Sequence, residues 1–179
     1  MTAIHALTTV SVVTGRQTLH TSECPVGRSV DVVGEWWSIL IVRDSIEGIT
    51  RFDDFRQHLG ISPTMLTQRL RRLVDTGILR RRRYETRPPR DEYVLTPRGR
   101  DLASVILALA GWWNDAVDPD RRSVVVLDHE TGEEVEPAVV DRRTGQPIGW
   151  PRHRFGPGPT ASRRVRELLA SYDPDHAAS

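Results

Sequence analysis

The side chains best placed for chemistry are polar groups spaced for one helical face, followed by arginines around a diproline. In ISPTMLTQRLRRLVDTG, Leu66, Leu70, Leu73 and Val74 recur at steps of four, three and one. At about 100° per residue they share one side of a helix, which turns Thr64, Gln68, Arg71 and Arg72 to the other, with Thr67 beside them. Gln pairs bidentately with adenine, Arg with guanine O6 and N7, and a Thr methyl packs on thymine. That face therefore carries the groups that read base edges in a major groove. Ser62 precedes Pro63 as a helix cap, and its hydroxyl and the first backbone amides suit phosphate oxygens. Phosphate contact is the second reading for Arg71 and Arg72. Farther on, Arg87 and Arg90 flank Pro88-Pro89, a stiff turn suited to holding guanidinium groups against a backbone or in a minor groove. In the run Arg80 to Arg83, strand alternation sends neighbours to opposite faces, so at most half meet the same surface. Taken alone, such a cluster reads better as a solvated face and a charged edge strand.

The elements that must position these groups are signalled along the chain. Pro25 suits the first position of a helix, making Cys24 its cap and Val26, Val30 and Val33 its stripe. A second helix follows through EWWSILIVRDSI. After Gly48, RFDDFRQHLG gives a short helix with Phe52, Phe55 and Leu59 on one face, ended by Gly60. Ser62-Pro63 opens the basic helix and Gly77 closes it. ILRRRRY and EYVLT read as two strands joined by ETRPPRD, whose prolines suit an exposed turn and not a paired strand. Thr96-Pro97 caps a further helix, and its run LASVILALAGWW is apolar on nearly every side. A helix without a polar face has to be covered on both sides, so Leu102, Val105, Ile106, Leu109, Trp112 and Trp113 are expected at a dimer interface. The fold class expected is mainly α with a small β component: a helix-turn-helix with a β-hairpin wing and a C-terminal dimerisation helix.

Charge segregation agrees with this order. The 179 residues hold 25 arginines, no lysine and 24 acids, for a net charge of +1. By blocks, residues 1–50, 51–100, 101–150 and 151–179 carry −2, +7, −6 and +2. A partner feels the local field, and the +7 block coincides with the helix-turn-helix and wing. Double-stranded DNA is the partner this favours, with the acidic segment lying away from the DNA face.

The single cysteine excludes an intrachain disulfide and fits a reducing cytoplasm. No stretch approaches the ~18 apolar residues of a membrane span, and the N-terminus lacks a basic region before its apolar residues. Cys24 has two readings. As a cap its sulfur would sit at the positive end of a helix dipole near Arg28, which favours thiolate and a redox-sensing role, while Glu23 and burial oppose it. The other reading is a small buried packing residue. With no second thiol, sensing would require an intersubunit disulfide or capping by a small thiol, oxidant or electrophile. Trp36, Trp37, Trp112 and Trp113 read as core and dimer packing and are assigned no ligand. An enzyme built on one Cys finds no paired His or oxyanion loop in the sequence, so neither a catalytic residue nor a cofactor is expected.

From Cys24 to about Trp113 the chain resembles the HxlR-type winged helix-turn-helix transcriptional regulators. The resemblance rests on the Cys-Pro start, Gly34-Glu35-Trp36-Trp37, RF..F, IS..ML..RL..L...G, the PPR.EY.LT wing and the helix ending in Trp. It implies a homodimeric bacterial regulator binding an inverted-repeat operator, expected here to be a repressor, and in some members a response to thiol oxidants or electrophiles. Where members often carry Gly-Gly-Lys-Trp, this chain has Gly34-Glu35-Trp36-Trp37, which alters packing there and leaves the reading helix untouched. The rival reading is a protein-interaction module that kept this fold and lost DNA binding.

Outside that region, LDHETGEEV and VDRRTGQPI repeat at an interval of 13 residues. The layout is that of two zinc-ribbon knuckles with Asp128/Thr131 and Asp141/Thr144 where sulfurs would stand. Thr is not a usual zinc ligand, so the expectation is a degenerate, metal-free, β-hairpin-like appendage tied by Asp-to-Thr or Asp-to-backbone hydrogen bonds. The expected organisation is an arm over 1–22, a DNA-binding and dimerisation domain over 23–118, the appendage over 119–150, and a linker with a short basic helix over 151–179.

Overall fold

The computed structural model describes residues 23–171; the expected N-terminal arm and residues 172–179 lie outside them. Four helices come first: α1 (Pro25–Val33), α2 (Trp36–Ile46), α3 (Phe52–Leu59) and α4 (Pro63–Asp75). Their boundaries are set by the local chemistry of the chain. Proline opens α1 and α4, and the Ser62 hydroxyl accepts the Met65 amide at 3.3 Å. Gly60 closes α3 in the left-handed region, at φ 63°. The core is the meeting of these helices. Ile41 and Val42 of α2, Phe55 of α3 and Leu66, Leu70 and Leu73 of α4 are fully buried, with Ile61, Ile78 and Leu79 completing the cluster.

A two-stranded antiparallel hairpin follows, β1 (Leu79–Thr86) and β2 (Pro89–Leu95). It is longer than the sequence leads one to expect. Pairing continues to Thr86↔Pro89, so the turn is Arg87-Pro88 alone and not the whole of ETRPPRD. Pro89 is tolerated because it is the first residue of its strand, where a missing N–H need not break the ladder. The register shifts between Arg83 and Glu85, a bulge at Tyr84. The α2–α3 connection adds a third contribution to the sheet: Arg51 bridges Glu92, and the Tyr93 amide donates to the Thr50 carbonyl at 2.7 Å.

The apolar helix is two pieces, α5 (Pro97–Asp101) and α6 (Ala103–Asp115). The break lies at Leu102, where bonds tighten to three-residue spacing: Leu102 N–H to Gly99 O at 3.2 Å and Val105 N–H to Leu102 O at 3.0 Å. Thr96 caps α5 through the Gly99 amide, and its hydroxyl also donates to Gly77 O at 2.6 Å, which seats α5 on the α4–β1 turn.

Beyond a 3-10 turn at Pro119–Arg121, both Asp-x-x-Thr-Gly segments form the hydrogen-bonded turns expected of them. Asp128 Oδ1 accepts the Glu130 and Thr131 amides at 2.9 Å each and the Thr131 hydroxyl at 3.2 Å. Asp141 accepts the Arg143 amide at 2.9 Å and the Thr144 hydroxyl at 3.2 Å. Single bridges, Leu127↔Glu134 and Val140↔Pro147, flank the turns in place of full strands. The amide hydrogen bonds from Thr131 and Glu130 hold the Asp128 carboxyl below its ordinary range. The segment is anchored on α6: Gly111 is buried under Pro137, and the Asn114 amide nitrogen donates to Val124 O at 3.0 Å. Among the described residues no hydrogen bond or ion pair joins it to the hairpin. Helix α7 (Arg163–Ala170) returns to the start of α1, where the Ser162 amide donates to Glu23 Oε2 at 2.8 Å and holds that carboxyl below its ordinary titration range.

Gly99 is a test of this seating. A Cβ there would overlap the Ile78 carbonyl, a backbone atom that cannot swing aside. Gly99→Ala is expected to destabilise the chain by about 1–3 kcal/mol despite alanine's better helix propensity, measured by urea unfolding.

Candidate nucleic-acid interface

Helix α4 presents the face its periodicity dictates. With Leu66, Leu70 and Leu73 fully buried, Thr64, Thr67, Gln68, Arg71 and Arg72 are all exposed, as is the cap Ser62. Their side chains are engaged to different degrees. The Thr67 hydroxyl donates to Pro63 O at 2.8 Å, which leaves its methyl group outward. Among the described residues Thr64 and Gln68 make no side-chain hydrogen bond. Arg71 is 83% exposed and lies 3.8 Å from Asp75, a weak surface pair. Arg72 differs: its guanidinium donates to the Asp31 carbonyl at 2.7 Å and ties α4 to α1. Arg69, half-buried on the flank, meets Glu35 at 3.0 Å, so the Glu that departs from the Gly-Gly-Lys-Trp pattern contacts α4.

The hairpin resolves the arginine run into paired and open members. Arg81 and Arg83 lie on one side, both bonded to Asp91, with Arg83 Nε at 3.0 Å. Arg82 bonds Glu92 at 2.7 Å on the other side, where Glu92 also accepts the Thr50 hydroxyl at 2.9 Å. Both carboxyls are held below their ordinary range, Asp91 chiefly by the Arg83 hydrogen bond and Glu92 chiefly by that of Arg82. Arg90 is 3.3 Å from Glu85, and its hydrogen bond with Tyr84 strengthens its hold on the proton. Arg87 at the tip and Arg80 at the base are exposed, and among the described residues neither makes a hydrogen bond or ion pair. Six arginines against three carboxylates leave the hairpin at +3.

Two features were not singled out in the sequence. Arg51 lies over the Tyr84 ring at 4.7 Å, clamping the bulge of the wing to the start of α3. Asp44 is fully buried on α2, between Arg43 Nη2 at 2.6 Å and His58 Nδ1 at 2.8 Å, so a carboxylate inside the core fixes α3 to α2. Its sequence signal is an acid inside the apolar run WWSILIVRDSI; Arg51 has none, because the contact depends on a bulge.

The residues expected at a dimer interface fall into two sets. Leu102 and Ile106 pack against the core of their own chain. Val105, Leu109, Trp112 and Trp113 are exposed, the two tryptophans by 71% and 65%. Trp37 packs on the core and Trp36 stacks on it at 4.5 Å while exposed on its other side. Cys24 is exposed at the N-cap of α1 within this chain, and its side chain makes no capping hydrogen bond.

Known proteins share this arrangement. The HxlR-like helix-turn-helix family matches residues 32–121. The HTH-type transcriptional regulator Rv3095 of Mycobacterium tuberculosis is 36% identical over 135 residues, 75% of this chain and 85% of its own. Among solved structures, PA1607, described as a candidate transcription factor, superposes with a TM-score of 0.70 at 34% identity, covering 78% of this chain and 99% of that one. PA1374 of Pseudomonas aeruginosa, described likewise, gives 0.60 at 39% identity over 82% and 100%. These likenesses run past the 90 residues of the family match and so into the appendage. Among the described residues no helix is long and apolar enough to cross a membrane. Helix order, hairpin and family match agree: the chain belongs to the HxlR-like helix-turn-helix family of transcriptional regulators.

Proposed function

We propose that the chain is a homodimeric repressor that binds an inverted-repeat operator in double-stranded DNA, in the cytoplasm at the nucleoid, and performs no catalysis. The observation that carries this is the outward face of α4: Thr64, Thr67, Gln68 and Arg71 stand exposed behind a Ser62 cap, opposite three fully buried leucines. Thr64, Thr67 and Gln68, in the first turns, read base edges, and Arg71 follows on bases or phosphate. Ser62 and the first amides of α4 hold phosphate. At the wing Arg87 enters a minor groove or meets the backbone. Arg72 and Arg90, whose guanidiniums already bond Asp31 O and Tyr84, act by holding helix and wing in place and join the phosphate contacts from there.

The functional units proposed are 23–118 for DNA binding and dimerisation and 119–150 for the appendage, a metal-free derivative of a zinc ribbon, with 1–22 and 151–179 flanking them. The partner subunit covers Val105, Leu109, Trp112 and Trp113, while Leu102 and Ile106 hold the helix to its own core. The two α4 helices then meet half-sites about one DNA turn, ~10 bp, apart or a multiple of it. Cys24 is the site at which an oxidant or electrophile acts, supported by its exposure beside the first turn of α1.

A mobility-shift titration on the DNA upstream of the gene tests the main reading. Gln68→Ala is expected to cost about 1–3 kcal/mol per half-site and relax specificity, whereas Arg87→Ala weakens all sequences alike and lowers the salt slope by about 1 per subunit. The absence of any saturable, sequence-dependent shift would sink the regulator reading in favour of a protein-interaction module. Sedimentation tests the interface: Leu109→Glu is expected to convert dimer to monomer without loss of helicity, and an unchanged sedimentation coefficient rejects it. For the thiol, diamide treatment is expected to alter operator affinity in the wild type and not in Cys24→Ser; an equal response in both removes the sensor.

A further inference from the structure

We infer that the second Asp-x-x-Thr-Gly turn of the appendage docks on the C-terminal half of the partner subunit's α6, as the first turn docks on α6 of its own chain. This rests on the homodimer proposed above and names what covers α6 within it. The internal repeat supplies the template. It reaches beyond the turns themselves: Val126, Val135 and Pro137 stand 13 positions before Val139, Ile148 and Trp150. Both units pair alike, the Val135 amide donating to Val126 O at 2.9 Å and the Ile148 amide to Val139 O at 2.8 Å, so each sets two apolar side chains opposite one another. In the first unit that surface is in use. Val126 and Val135 border a crevice with Gly111, Asn114 and Asp115 of α6, and Pro137 lies against Gly111. In the second unit the equivalent residues are exposed, Val139 by 55%, Ile148 by 41% and Trp150 by 57%.

Helix α6 has a side to receive it. With Gly111 marking the direction of the first turn, about 100° per residue puts Trp112, Val105 and Leu109 at roughly 100–160° and Ile106, which packs on the core, at about 220°. One chain therefore covers α6 on two sides and leaves the side of Trp112, Val105 and Leu109 exposed. Reach permits the exchange. The chain from Val135 to Val139 spans at most about 14 Å, and the axes of two packed helices lie about 8–10 Å apart, so one appendage meets two adjacent helices. Charge selects the second copy as occupant: residues 101–138, holding α6 and the first turn, sum to −7, and residues 139–155 to +3. Within one chain the acidic first turn lies on an acidic helix, and a partner's basic second turn offsets both. Among the described residues the Arg142 side chain makes no hydrogen bond or ion pair, and Arg143 approaches Asp141 at 3.7 Å. Asp115 and the negative end of the α6 dipole are complementary to them. About a two-fold axis the docking occurs twice.

Sedimentation equilibrium of the full-length protein measures the dimer dissociation constant. Ile148→Asp, at an exposed position, and the pair Arg142→Glu with Arg143→Glu are each expected to raise it at least about five-fold. Asp115→Arg added to the reversed arginines is expected to lower it again by at least about two-fold, a gain that misfolding does not produce. Cross-linking reads the contact directly. In a Cys24→Ser background, chains carrying Ile148→Cys alone are mixed with chains carrying Ala116→Cys alone and oxidised. A 148–116 disulfide between chains, identified by peptide mass spectrometry, is expected. A dimer that yields no such cross-link overturns the inference and leaves the homodimer standing, and so does reversal that Asp115→Arg fails to relieve. A dissociation constant that Ile148→Asp or the arginine reversal changes by less than five-fold assigns the second turn to a different protein and equally overturns it. A wild type monomeric at every concentration removes the homodimer and the inference together.

Discussion

Everything on the candidate DNA face depends on how α4 is rotated about its own axis, and that rotation is fixed by three leucines. Leu66, Leu70 and Leu73 are fully buried against Ile41, Val42 and Phe55, and burying each is worth about 1.5–3 kcal/mol over leaving it exposed. A rotation of one residue, about 100°, would expose that surface and turn Gln68 and Thr64 sideways. The polar face is thus specified by its apolar opposite. Arg72 to Asp31 O and Arg69 to Glu35 then lock the helix to its neighbours at two points without using the residues at its N-terminal end.

Electrostatics are arranged with the same economy. Most arginines of the hairpin are spent on Asp91, Glu92 and Glu85, and these pairs shape a two-stranded element that has little core of its own. The bonds are exposed, so each contributes modestly; their collective effect is to keep like charges from splaying the strands. What remains open is Arg80 at the base and Arg87 at the tip, the two ends of the hairpin. The Arg51 to Tyr84 contact sets the angle of that span relative to α3.

Elements governed by local rules were legible in the sequence. Caps, glycine stops and the 3.6-residue period located α1 to α4 and the outward residues of α4, and the Asp-x-x-Thr-Gly repeat announced its own hydrogen bonds. Contacts between distant segments were not. Pro89 paired because its position at a strand start outweighs the general aversion of sheets to proline. Leu102 interrupts the apolar helix because α5 is pinned at Gly99 and Thr96 to the α4–β1 turn, a constraint lying about 20 residues away in sequence. The six residues assigned to one interface divided because an apolar helix has two sides, and composition does not say which side its own chain covers. Cys24 was undecidable for the same reason, since exposure is a property of neighbours.

The corners of the appendage are closed by carboxylate and hydroxyl oxygens where a zinc ribbon uses thiolates. Such corners hold their shape in oxidising or reducing surroundings and irrespective of metal supply. The Asp128 corner is instead sensitive to acid: its carboxyl titrates below its ordinary range, so its stabilising bonds are intact at neutral pH and are lost as pH falls through that lowered value. The chain's one thiol stands at the head of α1, and the acid-sensitive Asp128 corner belongs to the segment anchored on α6.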